Sequence, residues 1–487
     1  MGWPVMSEDV IALADGFEAA TRDQWLALVA KTIDGAPFEE RLVSHTASGL
    51  EIQPLYAEAL SPEPLALGAR DPQRPWDLRV RVAHPDPARA HGEILADLEG
   101  AAASAVVAID PDGAGGIAIG GADGLAAVLD GVVLELAPIA LDAGFLGPKA
   151  ADWLGAAAKA SPNALLNFHL DPLGALAATG ASPGPIESHL ISAATVAARL
   201  VETYPKAGLF LASGQVVHEA GGGEAQELGF MAASVVTYAK ALARAGVSAE
   251  QGLSHIVLGL AADGDYFITI AKLRAARRIW ARLAGALGSK APARIEARSS
   301  RRMLTQADPW TNMLRLTSAG FGAAVGGADA VLLGAFTDAI GLPTAFARRQ
   351  ARNTQLVLME EANLGRVSDP SAGAGFLEAL TDQIARDGWA AFQAIEAQGG
   401  LAQALISGAI AGEAARTLEA RRAAIAAKTD KILGVTVFPN AQAVDVAVET
   451  PAPVKAQAPS ARLPGPDTQA VALTAVRLSA PFEEPRS

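Results

Sequence analysis

The sequence predicts an α/β chain: a closed, eight-stranded parallel (β/α)8 barrel with an arm before it and an extended tail after it. Two observations predict this. Between about residues 100 and 370, short strand-like runs alternate with Ala- and Leu-rich helical stretches, and such alternation makes βαβ units and a parallel sheet. Eight strand runs can be placed, and eight units in succession indicate closure rather than an open sheet. The 487 residues accommodate such a barrel, which takes about 250, with additions at both ends.

Residues 1–75 read as the arm. It contains one amphipathic helix candidate carrying Trp25, Leu26, Leu28, Val29 and Ile33, then a turn-rich stretch from Gly49 to Pro75. A segment this short that exposes Trp25, Phe38, Leu50, Ile52 and Leu55 needs a surface to pack on, its own barrel or a partner subunit. Residues 76–447 read as the barrel and its flanking helices. The predicted strands are Ala105–Ile109, Val132–Leu136, Leu165–Leu170, Gly208–Ala212, His255–Leu260, Arg294–Arg298, Ala330–Leu333 and Arg366–Ser368.

Two helices are strongly periodic. In the first, Ile270, Leu273, Ala276, Trp280, Leu283 and Leu287 recur at spacings of three and four, and Gly288 and Pro292 stop it. Arg274, Arg278 and Arg282 form a second line at i, i+4, expected as a basic outer face that is solvated or meets another subunit. In the second, Leu377, Leu380, Ile384, Trp389, Phe392 and Ile395 lead to a Gly399-Gly400 stop. From 448 to 487 the composition shifts to Pro, Ala and polar residues, which predicts a linker or an extended wrapping segment.

Composition removes several function classes. Without cysteine there is no disulfide framework, thiolate metal site or Cys nucleophile. The formal charge of -13 argues against a whole-chain nucleic-acid binder. The apolar fraction of 51% and mean hydropathy of +0.24 could suggest a membrane protein. Yet a spanning helix takes about 20 apolar residues, and every long run here is cut by charge, as by Asp130, Glu135 and Asp142. Met1-Gly2-Trp3-Pro4 lacks the basic start of a secretory signal, so a soluble cytoplasmic protein is expected.

Motifs from spacing alone assign no reaction. Gly113-Ala-Gly115-Gly116-Ile-Ala118 has the letters of a dinucleotide fingerprint, with Glu135 about twenty residues on. A fingerprint helix must begin at the glycines, whereas here the next helix is expected near Asp123, so a glycine turn is the better reading. The seven histidines show no metal-ligand spacing. His169 and His255 lie in predicted strands and read as hydrogen-bonded core residues. No catalytic, cofactor-binding or metal residue is assigned.

Residues Ala328 to Gln355, ending in Arg352-Asn-Thr-Gln355, strongly resemble the methylmalonyl-CoA mutase family. The resemblance extends through Ile270–Arg277, Asp308–Arg315, Glu360-Glu361, Asp369-Pro370 and Ile395–Gly400. Gly35–Leu42, Gly49–Tyr56 and Arg74-Pro-Trp76 look like the family's arm and the start of its barrel. The family implies a barrel that binds an acyl-CoA along its axis, capped by a domain holding adenosylcobalamin, whose radical drives a carbon-skeleton rearrangement.

The sequence departs from the family's catalytic pattern. Arg81 stands where that pattern has its tyrosine, in Arg79-Val-Arg-Val-Ala-His84. Val216 replaces the thioester-binding histidine in Ser213–Gly221; His218, two residues on, would share its face only in extended chain. Gly326–Gly334 and Asp369–Phe376 lose further polar and aromatic residues. The strands Ala105–Ile109, Val132–Leu134 and Ala330–Leu333 suggest a barrel filled with Val, Ile and Leu, closed to pantetheine. No D-x-H-x-x-G occurs, and the chain stops after Arg477-Leu-Ser-Ala-Pro-Phe482-Glu483, where the family's linker to its cobalamin domain begins.

These features resemble the small, non-catalytic subunit of the heterodimeric mutases. The resemblance implies a large (α) subunit as partner, adenosylcobalamin in that partner, and no cofactor bound by this chain or cobalamin domain within it. Two alternatives stay open: a catalytic chain working with a separate cobalamin-binding subunit, and a partner-free scaffold.

Overall fold

In the computed structural model, residues 20–56, 71–439 and 445–483 are described, with positions 16, 18, 65 and 67. The chain divides into two compact units, Met1–Leu55 and Tyr56–Ser487. In the first, a helix spans Arg22–Thr32 behind a capping box in which Thr21 and Gln24 satisfy each other's backbone N–H groups. Trp25 packs edge-to-face on Phe38 at 5.9 Å. Ser44–His45 and Glu51–Ile52 pair as a short antiparallel ladder.

The second unit contains the closed barrel. Its strands are β1 (Asp77–Val82), β2 (Ser104–Ala108), β3 (Ile139–Asp142), β4 (Leu166–Leu170), β5 (Gly208–Ser213), β6 (Ile256–Ala262), β7 (Ile295–Ser299) and β8 (Ala330–Leu332). All neighbours are parallel and follow chain order, with β8 pairing back to β1.

Eight strands was the expected number, but two of the predicted ones are wrong. Val132–Leu136 is a turn with Val133 and Leu136 exposed. The strand begins after Pro138, where Ile139, Ala140 and Leu141 can all be buried. Arg366–Ser368 is likewise irregular. The barrel instead starts one unit earlier, at β1. Its Asp77-Leu-Arg-Val-Arg-Val82 alternates with period two, with Arg79 buried in the barrel and Arg81 partly exposed at its C-terminal end.

The residues that carry the family resemblance hold this barrel shut. Gln355 accepts from Trp76 Nε1 (3.1 Å) and donates to the Val331 carbonyl (3.2 Å), joining β8 to the start of β1. Arg352 grips Asp97 and the Gly100 carbonyl behind β1. Arg277 reaches the Ala293 and Gly327 carbonyls and Asp329, at the starts of β7 and β8.

The Tyr266–Ala286 helix forms as its periodicity predicts, but its basic line is not an outer face. Arg274 is buried and binds Asp369 and Glu378, and Glu378 also takes Arg278 at 3.1 Å. Arg282 lies 4.1 Å from the ring centroid of Trp389. All three arginines meet residues of the Gly375–Ala397 helix or the turn before it, so the line is an internal helix–helix contact.

The glycine stretch after β2 is the expected turn. Asp110 accepts backbone N–H groups from Asp112, Ala114 and Gly115, Ile117 bridges back to Ile109, and the next helix starts at Ala122. The tail packs along the loops at the C-terminal ends of the strands. Glu449 N–H donates to Leu342 O after β8, and the Glu449 carboxylate takes Arg89 after β1. Ala456 bonds Pro111 after β2, and Ser460 O takes Lys149 after β3. Leu463, Ala470 and Leu473 bond the segment after β4, Val476 bonds Glu219 after β5, and Leu478 bonds Arg302 after β7.

Candidate functional site

The barrel interior is filled, though not by the aliphatic layers expected from the sequence. Val106, Ala140 and Leu332 make an apolar layer. Beside it lies an ion network. Arg79 donates to Ser104 Oγ at 2.8 Å and to Asp77 and Glu296; Arg298 Nε donates to Glu296 Oε1 at 2.6 Å. Burial opposes the charge on Arg79, but Asp77 and Glu296 outweigh it and hold the guanidinium pKa above its usual range. Burial likewise opposes ionisation of Glu296, and Arg298, His169 and Arg79 overcome it, so its carboxyl sits well below the usual range. Paired this way, charge can fill a barrel that strand hydrophobicity alone would fill with Val and Ile.

Above this network, at the C-terminal strand ends, lies a cavity of about 920 Å³. This is the face on which barrel loops converge and where barrel sites are built. Arg81, Asp142, His169, Ser213 and Arg298 give it a polar side, while Leu141, Leu211, Val216, Leu332 and Leu333 supply apolar walls. The charged groups form a chain. His169 Nε2 lies 3.9 Å from Glu296, which binds Arg298; Arg298 and Arg81 both approach Asp142, at 3.7 and 3.9 Å.

His169 is the unusual member. Its backbone is left-handed, with φ of +47°, where the β4–β5 register shifts; such conformations cost energy and concentrate at functional sites. Its ring is buried, and neither nitrogen has a hydrogen-bond partner among the described residues. Burial pushes its pKa down to about 4, keeping the imidazole neutral at pH 7. The expectation of a hydrogen-bonded core histidine therefore fails for His169. It holds for His255, whose Nδ1 lies 2.7 Å from the Ala207 carbonyl oxygen.

Positions singled out from the sequence divide between the cavity and the scaffold. Arg81, Val216 and the Leu332–Gly334 run line the cavity. His218 does not. Its segment is helical, Gln215–Glu219, so the extended geometry required for His218 to share the face of Val216 is absent. It is buried against Ser300 Oγ at 2.8 Å, with Glu227 and Asp263 within 3.4 Å. Burial would raise the Glu227 pKa, but Lys272 at 2.5 Å and His218 hold it down to about 2. Asp369 lies on Arg274, away from the cavity lining. Asp142, Arg298 and Arg301 escaped the sequence reading. The signal was Glu296-Ala-Arg298, two charges at period two in a strand with no solvent face.

Among the described residues no helix is long and apolar enough to cross a membrane, and no three His, Cys, Asp or Glu residues are grouped to hold a metal ion. The family model for methylmalonyl-CoA mutase matches residues 100–462. The chain belongs to the methylmalonyl-CoA mutase family. The methylmalonyl-CoA mutase small subunit of Streptomyces virginiae is 40% identical over 460 residues, covering 89% of this chain and 73% of that protein. The small subunit from Propionibacterium freudenreichii subsp. shermanii is 32% identical over 431 residues, 82% of this chain and 66% of its own. The methylmalonyl-CoA mutase of Rhizobium meliloti is 27% identical over 466 residues, 88% and 65% of the two chains. Of the positions at which the sequence was expected to depart from the mutase pattern, Arg81, Val216, Leu332, Leu333 and Gly334 line the cavity, while Asp329 and the Asp369–Phe376 loop do not.

Proposed function

We propose that this chain is the small, non-catalytic subunit of an adenosylcobalamin-dependent methylmalonyl-CoA mutase. In this reading a separate large subunit holds cobalamin and substrate and converts methylmalonyl-CoA to succinyl-CoA. The small subunit stabilises that partner. The observation that carries the reading is the barrel interior. A thioester threaded along the axis would have to displace Arg79, Glu296 and Arg298 from one another, at a desolvation cost of several kcal/mol per ion. Arg81, Val216, Leu332 and Leu333, four of the positions that depart from the catalytic pattern, also line the cavity above that plug.

The histidines of the cavity support placing the cofactor elsewhere. His84 Nδ1 accepts from Asp86 N–H at 3.2 Å and its Nε2 lies 3.6 Å from Glu449, while His169 is buried beside Glu296. Both rings are buried rather than exposed at the mouth, which supports a cobalt ligand outside the described residues of this chain. Co-expression with a large mutase subunit tests the proposal. Co-purification as a heterodimer, with a large subunit less stable or less active alone, is the expected result. Separate migration, or a large subunit equally stable and active alone, defeats it.

The open cavity favours one other reading, a catalytic chain that works with a separate cobalamin-binding subunit. Saturable binding of methylmalonyl-CoA or isobutyryl-CoA to the isolated chain would select it.

A further inference from the structure

The cavity is closed to a thioester below, yet it is built like a small-molecule site. About 920 Å³ lies within the range of ligand pockets, roughly 300–1,000 Å³, which pair apolar walls with a few convergent polar groups. Here the polar groups are gathered on one side, and several buried nitrogens lack partners. Arg298 Nη2 and both nitrogens of His169 are buried with no hydrogen-bond partner among the described residues. Arg298 and Arg81 reach Asp142 only at 3.7 and 3.9 Å, beyond hydrogen-bond length, while Arg81 Nη2 also donates to the Gly115 carbonyl at 2.8 Å. Arg301 lines the same cavity and makes no side-chain hydrogen bond or ion pair among the described residues. Burial and the neighbouring Arg298 and Arg301 disfavour the charge on Arg81, against the pull of Asp142. An added acceptor with one negative charge would relieve all of these at once.

The remaining lining sets the rest of the ligand. Six carboxylates and four guanidiniums line the cavity; Arg348 pairs with Glu93 and Asp97, and Tyr238 binds Asp171, which leaves Asp142, Asp338 and Glu219 beside Arg81, Arg298 and Arg301. A dianionic phosphate, or a molecule with several phosphates, would overcharge it. The opposite walls, Leu211, Val216, Leu332 and Leu333, suit a hydrocarbon chain. We propose that the cavity binds a short- to medium-chain monocarboxylic acid, its carboxylate forked by Arg298 and Arg81 with a hydrogen bond from His169, and its chain on the Leu211–Leu333 wall. This goes beyond the subunit reading, since it assigns a ligand to the chain whether or not a partner carries the chemistry.

Calorimetric titration of the purified full-length chain with butyrate, hexanoate and octanoate tests it, with hexanamide and inorganic phosphate as controls. Saturable one-to-one binding is expected, tightening by about fourfold per methylene as the chain is buried. Hexanamide and phosphate should fail to bind. Arg298→Gln should weaken hexanoate at least tenfold, as expected for loss of a charge-assisted pair. Because Arg298 also supports the barrel, Arg301→Gln and His169→Asn serve as the second and third variants. Asn tolerates the left-handed backbone at 169. Either should weaken binding severalfold in a chain with unchanged circular dichroism. No saturable binding of any acid, equal binding of phosphate, or affinity untouched in all three variants overturns the proposal. Displacement of hexanoate by methylmalonyl-CoA also overturns it, and would favour the catalytic reading instead.

Discussion

Glu296→Gln is the most informative single change in this barrel. Glu296 is fully buried and holds Arg79 and Arg298 together, with His169 beside it. Glutamine keeps the shape and removes the charge, leaving two guanidiniums in the interior without their shared anion. Breaking a buried pair this way costs about 3–5 kcal/mol. The double variant Arg79→Met/Glu296→Leu removes a charge of each sign but still leaves Arg298 without its carboxylate and Asp77 without its guanidinium, so it should not recover the loss. The effect should also depend on pH. A carboxyl held below its unfolded value stabilises the fold above about pH 4.3 and loses that contribution as pH falls toward the folded value. The gap between wild type and Glu296→Gln should therefore be full at pH 7 and shrink progressively below pH 4. Urea unfolding monitored by tryptophan fluorescence at pH 7.0, 5.0 and 3.5 measures it. A loss under about 1 kcal/mol at pH 7 would refute the view that this network carries the barrel interior, set against the 3–5 expected. So would a gap that does not change between pH 7 and pH 3.5.

Other consequences are open to the same methods. Arg274→Ala leaves Asp369 and Glu378 without their buried partner and should cost about 3–5 kcal/mol in urea, whereas Arg282→Ala, which loses only an exposed contact on Trp389, should cost about 0.5–1. His169 should give the nitrogen chemical shifts of a neutral imidazole at pH 6. Since its folded pKa of about 4 lies below the unfolded value, stability should fall as pH drops from about 6.5 to 4, and His169→Asn should flatten that slope. A side chain at Gly120 would collide with the Gln457 carbonyl, so Gly120→Ala should raise amide exchange across 449–463 and leave exchange in the barrel strands unchanged.

The fold was legible where periodicity and burial agree. The Tyr266–Ala286 and Gly375–Ala397 helices follow their stripes, and β2, β4, β5, β6 and β8 are largely apolar runs between helices. It was illegible where charge faces inward. Arg79 and Arg81 break the apolar run of β1, which was not among the predicted strands; their counter-charges come from β7 and β3, distant in sequence. The basic line on the Tyr266–Ala286 helix misled for the same reason: Asp369 and Glu378, which neutralise it, lie some hundred residues later. Family membership was visible because Arg277, Arg352 and Gln355 serve closure of the barrel. The cavity was only half visible. The sequence marked Arg81 and Val216 by what they replace, but nothing local to His169 announces its left-handed backbone or its unpartnered ring.

The path of the tail has a kinetic consequence. It touches the loops after β8, β1, β2, β3, β4, β5 and β7 in turn, the same circular order as the strands. Many of these contacts join residues hundreds of positions apart, such as Lys455 with Asp112 and Arg89 with Glu449. Contacts of such long range form late in folding, because chain closure must come before they are rewarded. Each tail contact also needs its loop already in place, so the tail is expected to register onto formed strand–helix units. Amide exchange under mild denaturant should then show the tail losing protection before the strands do.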